Sequence, residues 1–250
     1  MARNVRFLLV LATAFVSILS PCTAQTANIS VHFIGSPQFD FFMVPNMTFD
    51  IGQAKVVLPG LNSCGCRSAC GVLNDGCKAW SLTHAVDGTT QCQIAQEGPL
   101  TIVPNKSENA EYFFKKSSVP GSYEWPADNL LYLLLDGTFS SQEAKKRCSM
   151  IPGHRLFIAK TQATYDYLSS LWSRYPSRPF FIADLVKKNQ TEFVWGDGTT
   201  DHVTPGKIFQ NDVVDYNLFI LYDKQLDDAQ ESQHGPFRAL CQANPLGTEW

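Results

Sequence analysis

An α+β fold follows from three features of the sequence. Short alternating or β-branched runs are separated by turns rich in Gly and Pro, a few segments with helical periodicity lie between them, and the cysteines fall into two widely separated groups. The clearest strand-and-turn signal is residues 192–199, Glu-Phe-Val-Trp-Gly-Asp-Gly-Thr. Phe193 and Trp195 alternate with outward positions, and Gly196-Asp197-Gly198 supplies a turn in which glycine takes positive φ at little cost. A helical pattern ending in Cys148 lies upstream, and a strand-like segment at 237–241 ends in Cys241. At 250 residues the chain is long enough for two modest domains with cores of their own.

The first segment points to a compartment. Arg3 and Arg6 supply positive charge, residues 7–19 form an apolar run, and small residues follow Pro21, so residues 1–24 read as a cleaved secretory signal ending near Ala24. The run is too short and too N-terminal for a membrane span, no later stretch is apolar enough to be one, and 247–250 carries no apolar anchor tail. The formal charge of −3 becomes −5 once Arg3 and Arg6 are removed, which argues against nucleic acid or an anionic membrane surface as partner. Sequons at Asn28, Asn46, Asn105 and Asn189 agree with secretion and place those asparagines on exposed loops where they are used.

Residues 25–62 read as short strands, around 29–34, 39–44 and 55–58. Cys64, Cys66, Cys70, Cys77 and Cys92 then fall within 29 residues, which suggests a small disulfide-stapled module. Zinc is the competing reading, but no Cys-x-x-Cys or His-x-x-x-His pair completes a tetrahedral set. Cys66 and Cys70 are one helical turn apart, 77–82 looks like a strand with Trp80 inward, 91–94 looks like its hairpin partner, and 111–115 looks like a last edge strand. Helix, cysteine, strand with a central aromatic, hairpin and terminal aromatic strand together resemble the PAN/apple domain over roughly 31–116, within a module bounded at 25–116. The resemblance implies the bridges Cys66–Cys92 and Cys70–Cys77. Cys22 leaves with the signal, and parity then leaves Cys64 over, expected to join a second chain as a disulfide-linked homodimer or to remain a thiol.

Residues 117–128 read as a linker, polar with Pro and Gly around 117–122, and a second domain runs over 129–250. Residues 130–135 form a buried first strand, Asp136-Gly137 turns the chain, and Ser140 to Glu143 is a capping box opening a helix with Ala144 and Cys148 on its core face. Thr161 caps a second helix whose Tyr165, Leu168, Leu171 and Trp172 form a stripe that reads as core. Residues 179–185, 218–222 and 238–242 supply further strands. The Trp195-Gly-Asp-Gly turn set between two distant cysteines resembles the C-type lectin-like fold over roughly 129–244. That resemblance implies a domain-closing bridge Cys148–Cys241, whose loop of about 93 residues stabilises the fold by roughly 4 kcal/mol in the chain-entropy model. The family's second bridge, across its long loop, has no cysteines here, so the loop at roughly 200–217 is expected to be more mobile than usual.

Sugar-binding members of that family hold calcium with an amide-and-carboxylate triplet in the long loop and an Asn-Asp pair on the next strand. Calcium takes six to eight hard oxygens, and sugar hydroxyls can replace its waters. Gln210-Asn211-Asp212 falls where the triplet belongs and Asp227-Asp228 where the pair belongs, so the resemblance implies Gln210, Asn211, Asp212, Asp227 and Asp228 as ligand-binding residues, with Asp212, Asp227 and Asp228 on a weak Ca2+ site. The family's cis proline is missing, and the same carboxylates with Asp215 are also what a solvated acidic loop would carry. Chemistry of turnover finds no support. The five histidines lack metal-ligand spacing, no serine lies in a Gly-x-Ser-x-Gly elbow, and Gly196-Asp-Gly198 neither precedes a helix nor is followed by lysine.

The expectation is therefore a secreted, glycosylated recognition protein rather than an enzyme. Its expected ligands are glycans or glycoproteins bound through a divergent C-type lectin-like domain, in innate immunity or adhesion. The alternative is a calcium-independent extracellular component that binds protein and whose lectin site has decayed.

Overall fold

The computed structural model describes residues 31–35, 40–175, 180–188, 192–201, 208–209, 219–222, 225–228 and 236–246. The signal over 1–24, Asn28 and Asn189 lie outside them. The chain is mixed, with mostly β-sheet and a few helices.

The N-terminal half contains β1 (His32–Ile34), β2 (Phe41–Thr48), β3 (Val56–Pro59), α1 (Ser63–Leu73), β4 (Ala79–His84), β5 (Thr90–Ala95) and β6 (Asn105–Lys115). Its six strands form one sheet in the order β1-β2-β6-β4-β5-β3. The last strand is thus central, paired with both β2 and β4, and is not the edge that residues 111–115 suggested. The strand around 39–44, placed before the cysteines, covers the edge that β6 would otherwise expose.

The side chain of Asn62 caps α1 by accepting from Gly65 N at 2.8 Å. Cys66 and Cys70 face the sheet from this helix; Cys66 bonds Cys92 on β5 and Cys70 bonds Cys77 just before β4. Against those sulfurs pack Phe41, Met43, Trp80, Leu82, Ile94 and Phe113, with Trp80 and Phe113 stacked as a cross-strand pair at 3.6 Å.

Residues 117–128, expected as a linker, carry a 3-10 turn at Lys116–Ser118 and then β7 (Gly121–Glu124), which pairs antiparallel with β8 (Leu131–Leu135). Alternation at Tyr123-Glu-Trp125 competes with the Pro and Gly of this segment, and the strand pairing decides the outcome. Gly121 sits at φ +138° with its α-carbon against the Leu134 carbonyl, a place where a side chain has no room.

Beyond β8 come α2 (Ser141–Met150), β9 (His154–Leu156), α3 (Gln162–Arg174), β10 (Phe181–Ala183), β11 (Leu185–Lys187), β12 (Phe193–Trp195), β13 (Thr200–Asp201), β14 (Ile208–Phe209), β15 (Phe219–Tyr222), β16 (Gln225–Asp228) and β17 (Leu240–Ala243). Ser140 caps α2 by accepting from Glu143 N, while the Glu143 carboxylate turns to Arg147 at 2.7 Å instead of completing the box. Thr161 caps α3 in the same way. The sheet β7-β8-β17-β9 is the frame of this half, and the Cys148–Cys241 disulfide straps α2 to its central strand β17.

β8 is buried on both faces, which explains its unbroken apolar run. Leu131, Leu133 and Leu135 join a cluster with Ala144, Cys148 and Ile151 of the α2 layer, whereas Tyr132 and Leu134 join one with Tyr165, Leu168 and Leu171 of α3. The first of these clusters does not stop at the C-terminal half, because it also contains Val31, Phe42, Val44, Tyr112 and Phe114 from the six-stranded sheet. Phe42 is the hub, with ring centroids 4.9 Å from Tyr123, 5.3 Å from Phe114, 5.6 Å from Phe33 and 6.1 Å from His154. The two halves therefore share apolar burial.

Truncating such a buried ring costs about 3–5 kcal/mol. Phe42→Ala should lower the stability of both halves together, and scanning calorimetry should show one transition displaced as a whole. Two transitions with only the N-terminal one displaced would show instead that the halves are energetically independent.

Candidate functional site

The Trp-Gly-Asp-Gly turn is built from contacts on three sides. β11, β12 and β13 form an antiparallel sheet in sequence order. Phe193 and Trp195 point inward, and Trp195 is only 2% exposed, so it belongs to the core and offers no face for a ligand to stack on. Trp195 N donates to Thr199 O at 2.9 Å, and Gly198 N donates to Trp195 O at 2.8 Å.

The two glycines of the turn have different reasons. Gly198 takes φ +86°, as a turn glycine should. Gly196 is needed for space, because a Cβ there would fall on the Asp184 carboxylate, whose backbone carbonyl accepts from Gly196 N at 2.8 Å. Asp184 is itself buried and receives Lys145 Nζ at 2.6 Å, which ties the turn to α2.

Asp197 holds the turn to the frame. Its Oδ1 accepts from Thr199 N at 3.0 Å and Thr199 Oγ1 at 2.7 Å, and its Oδ2 accepts from Lys160 Nζ at 2.8 Å and Arg155 at 3.3 Å. Burial works against the charge, but the Lys160 and Thr199 donors outweigh it and hold the carboxyl down at about 2. These charges belong to an anchoring cluster that links β9, the segment before α3 and the turn.

A further sheet has the order β10-β15-β16-β14, in which β15 and β16 are antiparallel and β14 runs parallel to β16. Asp227 and Asp228 are strand residues of β16. Asp227 stands opposite Ile220 and Phe209, half-buried, next to the fully buried Leu226; Asp228 stands opposite Phe219. Gln210, Asn211 and Asp212 lie outside the described residues, as does most of the loop at 200–217. Among the described residues, no three His, Cys, Asp or Glu side chains converge on a common metal position.

A buried polar network supports this half from behind. Gln242, fully buried on β17, donates to Tyr132 OH at 3.1 Å and to Ile158 O at 3.2 Å, and accepts from Ile158 N at 3.2 Å. Tyr132 OH donates in turn to Asp128 Oδ2 at 2.6 Å. On the outer side Arg174 of α3 grips Glu124 of β7 with two bonds of 2.8 Å, and that donation holds the Glu124 carboxylate below its ordinary range.

Asn46 and Asn105 are exposed, but they lie on strands β2 and β6 and not on the loops expected for them, at the bulged far end of that pair, where Asn46 takes φ 58°. Cys64 lies half-buried in the first turn of α1, outside the three disulfides of the described residues. Phe33 and Trp125 form an exposed aromatic pair, at 6.2 Å and edge to face, and Trp125 lies within the segment read as linker. The available signal for Trp125 was again the 123–125 alternation.

No protein-family model matches the chain, and no curated protein matches it. Among the solved structures that match is the EPNH mutant of CEL-I, at 17% identity over 49% of this chain and 94% of that one, with a TM-score of 0.39. Another is a complex of SPL-1 with GlcNAc, at 16% identity over 52% of this chain and 97% of that one, also with a TM-score of 0.39.

The two glycines make a paired test. Gly198→Ala should cost about 1–2 kcal/mol through left-handed strain, and Gly198→Asn should recover part of it. Gly196→Ala and Gly196→Asn should both destabilise, by about 1–3 kcal/mol, because each displaces Asp184. Denaturant titration in which Gly196→Ala is neutral would remove the close-approach argument.

Asp197 gives a pH signature whose sign follows from its lowered value. Its folded carboxyl lies near 2, below the ordinary 3.8, so its contribution is complete above about pH 4 and is lost as pH falls towards 2. The Tm gap between wild type and Asp197→Asn should be open at pH 7 and closed by pH 2, and a gap constant across that window would contradict the assignment.

Proposed function

We propose that this chain is a secreted recognition protein that binds carbohydrate or glycoconjugate ligands through a divergent C-type lectin-like C-terminal half, in innate immunity or adhesion, with a PAN/apple-like N-terminal half. The observation that carries the reading is the arrangement after residue 129. First and last strands β8 and β17 pair, Cys148–Cys241 closes the frame, and the strands between 181 and 228 form two further sheets, one of which contains Asp227-Asp228. A closed frame that carries an irregular excursion suits recognition, since loops on a rigid scaffold present ligand groups without disturbing the core.

Three disulfides among the described residues fit an oxidising, extracellular setting. No helix among them is long and apolar enough to cross a membrane. Calcium is the proposed ion, held by Asp212, Asp227 and Asp228 with amide oxygens of Gln210 and Asn211, since all are hard oxygen donors. Without the family's proline the loop is ordered on binding at about 1–2 kcal/mol per fixed residue, so calcium affinity near millimolar is expected, and useful sugar affinity through multivalency.

The test is a glycan-binding screen with and without chelator, which includes GlcNAc, on wild type and on Asp227→Ala plus Asp228→Ala. Binding in calcium, loss in chelator and loss in the double variant are expected. Equal glycan binding in excess chelator would rule out the calcium mechanism, and micromolar calcium binding that survives the double substitution would move the site to other residues.

A further inference from the structure

We propose that the junction between the six-stranded sheet and the C-terminal frame is an acid-sensitive latch, closed by neutral His154 and opened when that imidazole takes a second proton. His154 begins β9 and lies where the two halves meet, buried and with its ring beside Phe42 of β2, Phe114 of β6 and Tyr123 of β7. Nδ1 is 3.0 Å from the Pro152 carbonyl, which only accepts, so Nδ1 carries the proton. Nε2 is then the acceptor for the Tyr123 hydroxyl at 3.3 Å. Both ring nitrogens are therefore satisfied by one neutral tautomer. A second proton on Nε2 faces a hydroxyl that must turn its own hydrogen away, and it sets a charge among phenyl rings.

The surroundings offer that charge no counterion. β2 and β6 present Phe42 and Phe114, β7 presents the Tyr123 phenol, held neutral by burial, and β17 pairs with His154 through Ala243. Lys116, which pairs with Asp40, lies over the Tyr123 ring, 5.9 Å from its centre, and adds a cation on that side. The contacts His154 makes are with aromatic rings, the Tyr123 hydroxyl and backbone, and none of these is a carboxylate.

Burial accordingly pulls His154 down to about 4 from an ordinary 6.5, the Pro152 bond opposing it. A folded value below the unfolded one means the closed state is fully favoured above about pH 6.5 and loses ground as pH falls through 4, the full change in the open-to-closed ratio, about 300-fold, being reached only below that value. The junction is the part expected to give way. Each half keeps a second apolar cluster away from it, one under α1 and one under α3, and disulfides of its own.

Hydrogen exchange on the full chain, corrected for intrinsic rates, together with small-angle scattering from pH 7.5 to 4.0, tests this. Protection of β2, β6 and β7 amides should fall at least tenfold by pH 4.5 and the radius of gyration should rise, reversibly, while α1 and α3 stay protected. His154→Gln keeps an acceptor for Tyr123 but does not titrate, so its junction should stay closed at pH 4.5. A wild type that stays closed at pH 4.0, or a His154→Gln chain that opens as the wild type does, overturns the proposal. Should that variant fail to fold, imidazole NMR on the wild type decides: a His154 titration that coincides with loss of protection supports the latch, and one near 6.5 with the junction still closed overturns it.

Discussion

The burial of β8 on both faces is the constraint from which the rest of the C-terminal half follows. A strand with Leu131, Leu133 and Leu135 on one side and Leu130, Tyr132 and Leu134 on the other needs an apolar layer above and another below. α3 provides one layer. α2 provides only part of the other, and the uncovered remainder is filled by Phe42, Phe114 and their neighbours from the six-stranded sheet. The attachment of the two halves is thus a consequence of incomplete coverage and not of a dedicated docking element.

This arrangement divides the molecule's work in space. The shared core lies over one face of the frame, where side chains from its two edge strands β7 and β9 meet, and its polar members are the half-buried Tyr123 and the buried His154. The excursion that includes β14, β15 and β16 is packed through Leu226 onto the α3 cluster, on the opposite face of β8. Changes at the junction and changes at Asp227-Asp228 therefore act on different layers. Between them runs the Gln242–Tyr132–Asp128 network, in which each buried polar group has a partner, as a low-dielectric interior requires.

Local signals carried far along this chain. Ser140, Thr161 and the one-turn spacing of Cys66 and Cys70 announce helices because a cap and a repeated face are properties of a few adjacent residues. The inward Phe193 and Trp195, and the turn after them, were legible for the same reason, although Gly196 turned out to serve a close approach and not a positive φ. Of the candidate ligand residues, the strand position of Asp227 and Asp228 follows from apolar neighbours on either side, whereas the convergence of side chains from separate loops is not a local property.

By itself the sequence determined most of the strands and helices, the helix caps and the Trp-Gly-Asp-Gly turn, because each rests on propensity and periodicity within about ten residues. Only the tertiary structure decided that β6 is central, that residues 117–128 hold a strand, and that a histidine and a tyrosine 31 residues apart meet between the two halves. Those outcomes depend on which apolar faces remain uncovered once every element has formed. That is a property of the whole packed surface, in which no single segment of the chain records its partner.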